Sequence, residues 1–247
     1  MNVKTAERTL HVFEAFATLG KPLTLSELAE HIDVPVSSCF GLLRTLENQG
    51  YLYALSRRRG FYPTRRLYKM AHKIARHDVI TDVMQTALQE LCEYSGETIV
   101  LSKQQDDRII YIDVYDSPNS IRYNTKIGYT RELHCSSAGK AFLGTLTDEQ
   151  LEQTVSKLTL SRYTDETLTS ATALAANIRH YRDDKGWYGN YGESVSDLVG
   201  IAVTLALEGL DYAVSVAGPM YRLQPRMEEI GDKLLALKQR VEVANID

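Results

Sequence analysis

Apolar positions near the N-terminus recur at helical spacing and predict three helices, the first over residues 4–19. Thr24 and Glu27 have the spacing of a capping box, which starts the second helix. Pro35 is tolerated in the first turn of the third. Two short helices joined by a tight turn over residues 23–52 predict a helix-turn-helix.

The outer side of the third helix carries small and hydrogen-bonding side chains, which suits close approach to base edges in a DNA major groove. Ser37, Gly41, Arg44 and Asn48 follow one another at i, i+4, i+7 and i+11. The predicted DNA contacts of this helix are Ser37, Ser38, Phe40, Gly41 and Arg44. The same pattern also fits the solvated face of a helical hairpin that binds no DNA.

A basic stretch follows the third helix, and it contains no Asp or Glu between Asn48 and His77. Two apolar pieces within it, residues 51–55 and 60–63, are predicted to pair as a hairpin. The predicted phosphate contacts at the hairpin tip are Arg57, Arg58 and Arg59. A charged run is also compatible with an ordinary solvated surface, but a winged helix-turn-helix explains the helices, the hairpin and the charge together.

Beyond the hairpin, a helical pattern over residues 67–95 is jointed at His77-Asp78. We expect a partner subunit to cover its first part and the following domain to cover its second. From Glu97 strands and helices alternate without strict βαβ order, which predicts an α+β domain. The predicted strands are 98–102, 109–115, 121–126, 200–206 and 212–217, and the predicted helices are 136–143, 148–157, 170–185 and 224–243.

Composition agrees with a two-domain globular chain, since 44% of the 247 residues are hydrophobic and 24% are charged. Residues 1–70 hold 10 Lys/Arg against 6 Asp/Glu, so the net charge of −4 hides a basic N-terminal part. The three cysteines include no CxxC pair and predict neither a disulfide framework nor a zinc site. With no signal peptide and no membrane-spanning apolar run, we expect a cytoplasmic protein.

Motifs of an enzyme are present but out of order. Ser137 to Lys140 is an SxxK sequence, as in β-lactamases, and a YxN sequence begins at Tyr188, yet the only nearby KxG precedes both. The adjacent His134 and Cys135 suggest a metal site or a Cys–His pair, but we expect adjacent side chains on a strand or loop to point apart, which favours a structural role. We therefore expect no catalytic residue, no cofactor and no metal.

Several segments taken in order resemble the IclR family of bacterial transcription regulators. They are PVSSCFGLLRTLENQGYL, LHCSSAGKAFL followed by LTDEQL, KGWYGNYGES and VSVAGP. The resemblance covers nearly the whole chain and implies three parts: a winged helix-turn-helix domain (1–66), linker and dimerisation helices (67–95), and a GAF-like α/β effector-binding domain (96–247). It also implies an operator in double-stranded DNA and a homodimer or homotetramer. The chain departs from the family pattern at Val36, where a basic residue is common, and at Gly41, where Arg is common.

The loop before the helix that begins at Ser136 presents backbone N–H groups and the positive end of a helix dipole, which predicts a carboxylate site at Ser137 and Ala138. The resemblance implies further effector contacts at Asn190, Leu198, Gly200, Ala202, Ser215 and Ala217. Asn190, Gly200 and Ala217 stand where the family commonly has an acidic residue, a Cys and a Ser, respectively. We therefore expect a less charged and roomier pocket. The expected ligand is a monocarboxylate with an aromatic or bulky apolar body, bonded by Asn190. Aromatic residues are more often simply part of the core, but the candidate walls of the pocket are Tyr129, Trp187, Tyr188 and Tyr191.

The sequence thus predicts a cytoplasmic, homo-oligomeric transcription regulator of a catabolic or metabolic operon that responds to a small organic acid. Two alternatives stay open: a DNA-binding regulator whose second domain serves only oligomerisation, and an SxxK serine hydrolase. Retardation of DNA, a metabolite-dependent change in that retardation, and turnover of an acyl substrate distinguish the three.

Overall fold

The computed structural model describes residues 3–56, 60–75 and 82–244. The chain forms two compact units, Met1–Asp78 and Val79–Asp247. This division places the two halves of the predicted linker, residues 67–95, in different units. Among the helices described, none combines the length and the apolar character that crossing a bilayer requires.

The N-terminal unit is a helix-turn-helix followed by a two-stranded hairpin. Its elements are α1 (Lys4–Leu19), α2 (Leu25–His31), α3 (Val36–Asn48), β1 (Leu52–Ser56), β2 (Gly60–Pro63) and α4 (Arg65–Ala75). The predicted capping box begins α2, because the Thr24 N–H donates to Glu27 Oε2 at 2.8 Å and the Glu27 N–H donates to Thr24 Oγ1 at 3.3 Å. Asp33, with φ 50°, reverses the chain between α2 and α3.

The predicted wing is present as the antiparallel pair β1–β2. Leu23 adds an isolated bridge to it, exchanging backbone hydrogen bonds of 3.1 and 2.8 Å with Phe61. Gly60 has φ +80°, and a Cβ there would lie 2.2 Å from the Leu23 carbonyl oxygen, so this crossing of two backbones requires glycine. The three arginines predicted at the wing tip, Arg57, Arg58 and Arg59, lie outside the described residues.

The C-terminal unit is built on an antiparallel six-stranded sheet of order β5-β4-β3-β8-β7-β6. Helices α5 and α10 pack against each other and against the sheet, while α6 contacts β6, β7 and β8. The elements are α5 (Asp82–Ser95), β3 (Thr98–Gln105), β4 (Arg108–Tyr115), β5 (Thr130–Glu132), α6 (Ser137–Gly144), α7 (Asp148–Val155), α8 (Ala171–Asp184), β6 (Tyr188–Tyr191), β7 (Leu198–Leu207), β8 (Leu210–Pro219), α9 (Met220–Leu223), a 3-10 turn (Gln224–Arg226) and α10 (Met227–Ala244). The predicted α+β class is confirmed.

One predicted strand is wrong. Residues 121–126 form no strand, and the edge of β4 is covered instead by β5. The backbone of Tyr111 on β4 also bonds residues 128 and 129, at 2.8 and 2.9 Å, so this part of the edge offers the 121–126 segment no ladder partner. The short strand β6 was not predicted, because its sequence YGNY shows no alternation of apolar and polar positions.

Candidate DNA-binding face and effector pocket

Helix α3 separates a buried side from an exposed side, as its sequence predicts. Cys39, Leu43 and Leu46 are buried in the core of the N-terminal unit. The predicted base-contacting residues, all exposed, are Ser37, Ser38, Phe40, Gly41 and Arg44. The helix therefore offers one solvent-facing side with small, hydroxyl, aromatic and cationic groups.

Two residues on this face bear directly on DNA contact. The Arg44 guanidinium lies 2.7 Å from Glu47 Oε2, in an exposed pair that contributes little to stability, so the arginine is easily released to a base or a phosphate. Apart from its chain neighbours and the backbone of its own helix, no atom of the described residues lies within 4 Å of the position that a Cβ on Gly41 would occupy. The backbone of α3 can thus approach another surface closely at this point.

Helix α6 begins beside a small cavity in the C-terminal unit. Its lining includes seven of the eight predicted effector contacts: Ser137, Ala138, Asn190, Leu198, Gly200, Ser215 and Ala217. The eighth, Ala202, is fully buried and lies further along β7, paired with Tyr188 and Ser215. The structure therefore brings these seven predicted residues together around one cavity, and Ala202 packs beside it in the sheet.

The cavity has a volume of about 30 Å³, which corrects the expectation of a roomy pocket. A volume of this size holds about one water molecule. Ser137 occupies the space that Gly200 leaves free, because its Oγ would lie 2.8 Å from a Cβ on that glycine. Tyr111 and Tyr123 also line the cavity, and their hydroxyl oxygens are 3.3 Å apart.

Some polar groups at the start of α6 already form hydrogen bonds within the protein. The Ser136 Oγ accepts the Gly139 N–H at 3.1 Å and donates to the Glu132 carbonyl at 2.9 Å, so this hydroxyl caps the helix. The Asn190 amide donates one hydrogen to the Cys135 carbonyl, and its oxygen accepts the Glu193 N–H at 3.3 Å. Asn190 thus holds the loop in place, which leaves one amide hydrogen for the predicted bond to a ligand.

Arg131 is a charged residue of the cavity lining that the sequence analysis missed. Its guanidinium lies 3.4 Å from the Tyr123 hydroxyl and 5.0 Å from the centre of the Tyr129 ring. Within the described part of the chain, no carboxylate lies at ion-pair distance from this half-buried cation, unlike Arg108, which is 3.4 Å from Glu132. The sequence analysis assigned residues 121–126 to the sheet and did not predict the short strand β5, which carries Arg131. It therefore gave no reason to place Arg131 beside the cavity.

The predicted aromatic walls are also corrected, since the rings that line the cavity are Tyr111 and Tyr123. Trp187 is buried, and its indole takes the position that a Cβ on Gly231 would occupy. The other three candidates lie outside the cavity lining: Tyr129, Tyr188 and Tyr191. Alternation cannot separate a core aromatic from a pocket aromatic, because both are buried.

Lys140 and Glu193 form an ion pair in the interior behind α6, and the lysine side chain has no exposed surface. The ammonium also donates to the Gly189 carbonyl at 3.3 Å. Burial lowers the pKa of Lys140 and raises the pKa of Glu193, while their mutual attraction opposes both shifts. The pair ties α6 to strand β6 and to the turn that follows it.

Comparison with known proteins decides the family. The profile described as the IclR helix-turn-helix domain matches residues 5–56, and the profile of the bacterial transcriptional regulator IclR C-terminal domain matches residues 71–243. The chain belongs to the IclR family. It is a DNA-binding transcriptional regulator, as the matched helix-turn-helix domain and the family indicate.

Individual relatives extend this family likeness over the full chain. The transcriptional repressor IclR of Escherichia coli (strain K12) is 26% identical, over 98% of this chain and 90% of the relative. The crystal structure of the Thermotoga maritima IclR has a TM-score of 0.75 at 19% identity and covers 98% of this chain and 99% of its own. An IclR homologue from Microbacterium hydrocarbonoxydans, crystallised with 4-hydroxybenzoate, has a TM-score of 0.64 at 17% identity and covers 97% and 99%.

Because the chain belongs to the IclR family, the SxxK sequence has a structural rather than a catalytic role. The named relatives are repressors and regulators, and this protein is not an enzyme. The lysine of the sequence, Lys140, is bonded to Glu193 and to a backbone carbonyl. Burial raises the pKa of the Cys135 thiol to about 12, so the thiolate nucleophile of a Cys–His pair is scarce at neutral pH.

One statement about the loop before α6 is corrected. The side chains of His134 and Cys135 do not point apart, because these residues lie in a turn rather than on a strand. One ligand atom from each of Glu132, His134 and Cys135 lies within 4.8 Å of the other two.

Proposed function

We propose that this IclR-family regulator binds a small organic carboxylate in the cavity at α6 and that the bound acid alters its affinity for an operator. The observation that carries the proposal is the Arg131 guanidinium, which lines the same cavity as Ser137 and the first turn of α6. An arginine is always charged at physiological pH and fits a carboxylate in a bidentate manner. The helix N-terminus adds backbone N–H groups at the same place.

The size of the acid depends on the aromatic pair that lines the cavity. About 30 Å³ is too little for an aromatic ring, so a ring must displace Tyr123. Tyr123 lies in a segment without helix or strand and is held by the Tyr111 hydroxyl, by Arg131 and by the bond that its carbonyl accepts from Thr98 at 2.8 Å. The 4-hydroxybenzoate complex of the Microbacterium homologue supports an aromatic acid for this chain too.

Arg131→Gln should abolish the stabilisation by acids. In the parent, an acid at a hundred-fold excess over its Kd adds about 2.7 kcal/mol to the free energy of unfolding, measured as a rise in Tm across a panel from pyruvate to 4-hydroxybenzoate. Arg108→Gln is the matched control, because that arginine is paired with Glu132 and is absent from the cavity lining. Equal stabilisation of all three proteins, or stabilisation by amines and sugars alone, contradicts the proposed site.

Arg44→Ala should weaken binding to the operator by about 1–3 kcal/mol and leave binding to random DNA nearly unchanged, if the arginine reads a base. The measurement is fluorescence anisotropy with the DNA upstream of the gene and with a shuffled sequence of equal length. Thr18→Ala, exposed on α1 and outside the predicted DNA contacts, is the control. An equal loss of affinity for both DNAs would indicate that Arg44 contacts phosphates, and unchanged affinity would show that Arg44 does not contact DNA.

Helix α4 carries the proposed subunit contact. Met70 and Ile74, four residues apart on one side of α4, remain exposed in the single chain. Exposed apolar side chains that lie together in this way often mark an interaction site. Ile74→Asp places an unpaired charge in that contact, so sedimentation velocity should show a smaller species. His72→Asp, on the other side of α4, should leave the oligomer intact; dissociation of both variants or of neither contradicts this placement.

A further inference from the structure

The turn before α6 holds a carboxylate, an imidazole and a thiol that the effector site does not use. Glu132 Oε2 lies 4.0 Å from His134 Nδ1 and 4.0 Å from Cys135 Sγ. Ligands bound to one tetrahedral ion at the usual metal–nitrogen, metal–oxygen and metal–sulfur distances lie about 3.5 Å apart. Each of these two distances therefore needs to shorten by only about 0.5 Å for the atoms to share one cation, and the ligand atoms of His134 and Cys135 lie within 4.8 Å of each other.

Outer contacts already orient two of these groups for such a role. His134 Nε2 is 3.0 Å from the Ser161 carbonyl, a contact that places the ring proton on Nε2 and leaves the Nδ1 lone pair toward Glu132. A histidine that binds a metal through one nitrogen commonly donates the other N–H to a carbonyl in this way. Arg108 holds the second carboxylate oxygen of Glu132 at 3.4 Å.

We propose that Glu132, His134 and Cys135 form a binding site for a thiophilic divalent cation of the Zn²⁺ type. Nitrogen and sulfur ligands select zinc over magnesium or calcium. His134 and Cys135 are buried, while Glu132 keeps about 20% of its side chain exposed, which gives a solvent molecule access to the fourth position.

The position of this site links it to the effector cavity. Cys135 accepts the Asn190 amide hydrogen on its carbonyl, and Ser136, the next residue, caps α6. A bound cation therefore fixes the loop that carries the cavity residues Ser136 and Ser137. The metal site rests on its own three ligands and stands or falls independently of the organic acid.

Cobalt titration of the untagged, chelator-treated protein tests the site. The parent should bind one equivalent of Co²⁺ with a thiolate charge-transfer band, and Zn²⁺ should displace it. Cys135→Ser should lose the band, while Glu132→Gln and His134→Gln should weaken Zn²⁺ binding by roughly 10–100-fold or more, the loss seen even for outer-shell partners. Cys92→Ser and His180→Gln, which alter a buried cysteine and a surface histidine elsewhere, are the controls.

Two results overturn the proposal. One is a parent that binds no Co²⁺ with thiolate character. The other is a band that persists in Cys135→Ser or is lost equally in Cys92→Ser. Glu132→Gln keeps the test valid if the buried variants fail to fold, because Glu132 is partly exposed and its loss of metal affinity is measured against the folded control His180→Gln.

Discussion

Glu193→Gln should lower the free energy of unfolding by about 3–5 kcal/mol, because it leaves the Lys140 ammonium buried without its counter-ion. Lys140→Met should cost a similar amount by leaving the Glu193 carboxylate unpaired. The double variant should recover much of either loss, since two neutral side chains need no counter-ion. Urea unfolding of the four proteins gives the coupling between the residues directly.

The surface pair Lys185–Glu228 is the control for this double-variant cycle. Its ions are 2.7 Å apart, but both side chains reach solvent, so Glu228→Gln should leave the free energy of unfolding nearly unchanged. Additive losses in the Lys140 and Glu193 variants, without recovery in the double variant, contradict the account of a coupled buried pair.

Gly139→Ala should destabilise the C-terminal unit by about 1–3 kcal/mol or more and weaken binding of the acid as well. A Cβ there would lie 2.3 Å from the Leu133 carbonyl oxygen and 2.4 Å from the Leu133 Cα. Backbone atoms cannot rotate away, so α6 must shift, and its first turn carries Ser137. Chemical unfolding and the Tm panel measure the two effects.

Gly41→Ala provides a matched substitution with the opposite sign. Gly41 is also helical, but open space surrounds the position of its Cβ, so alanine should stabilise the N-terminal unit by about 0.5–1 kcal/mol. If both substitutions change stability by the same amount and in the same direction, the close approach of α6 to Leu133 is not what sets the cost.

The fold was predictable wherever local chemistry decides structure. The capping box at Thr24 and Glu27 and the proline immediately before α3 each act within a few residues. The strand predicted for residues 121–126 is wrong although their apolar pattern suits a strand, because long-range contacts decide which segment pairs with the edge of a sheet. Residues 128–132 pair with β4 instead.

In the candidate site, too, the features set by local structure were predictable and those set by long-range contacts were not. The start of α6 pointed to Ser137, and the family likeness pointed to Gly200 and Ala217. These residues line one cavity, since their spacing along α6 and the β7–β8 hairpin is fixed by regular elements. Its volume depends on which neighbouring side chains fill the space, and Tyr111, Tyr123 and Arg131 come from an edge that the sequence did not place. The same applies to the turn at His134, which brings adjacent side chains together.

Titration of labelled upstream DNA with the protein, with and without an acid that raises Tm, tests the central claim most directly. We expect the parent to bind this DNA more tightly than a shuffled sequence and to change its affinity when the acid is added. Arg131→Gln should keep the DNA affinity and lose the response. A response that persists in Arg131→Gln contradicts the proposed site, and specific DNA binding that no organic acid alters contradicts an effector role for the C-terminal unit.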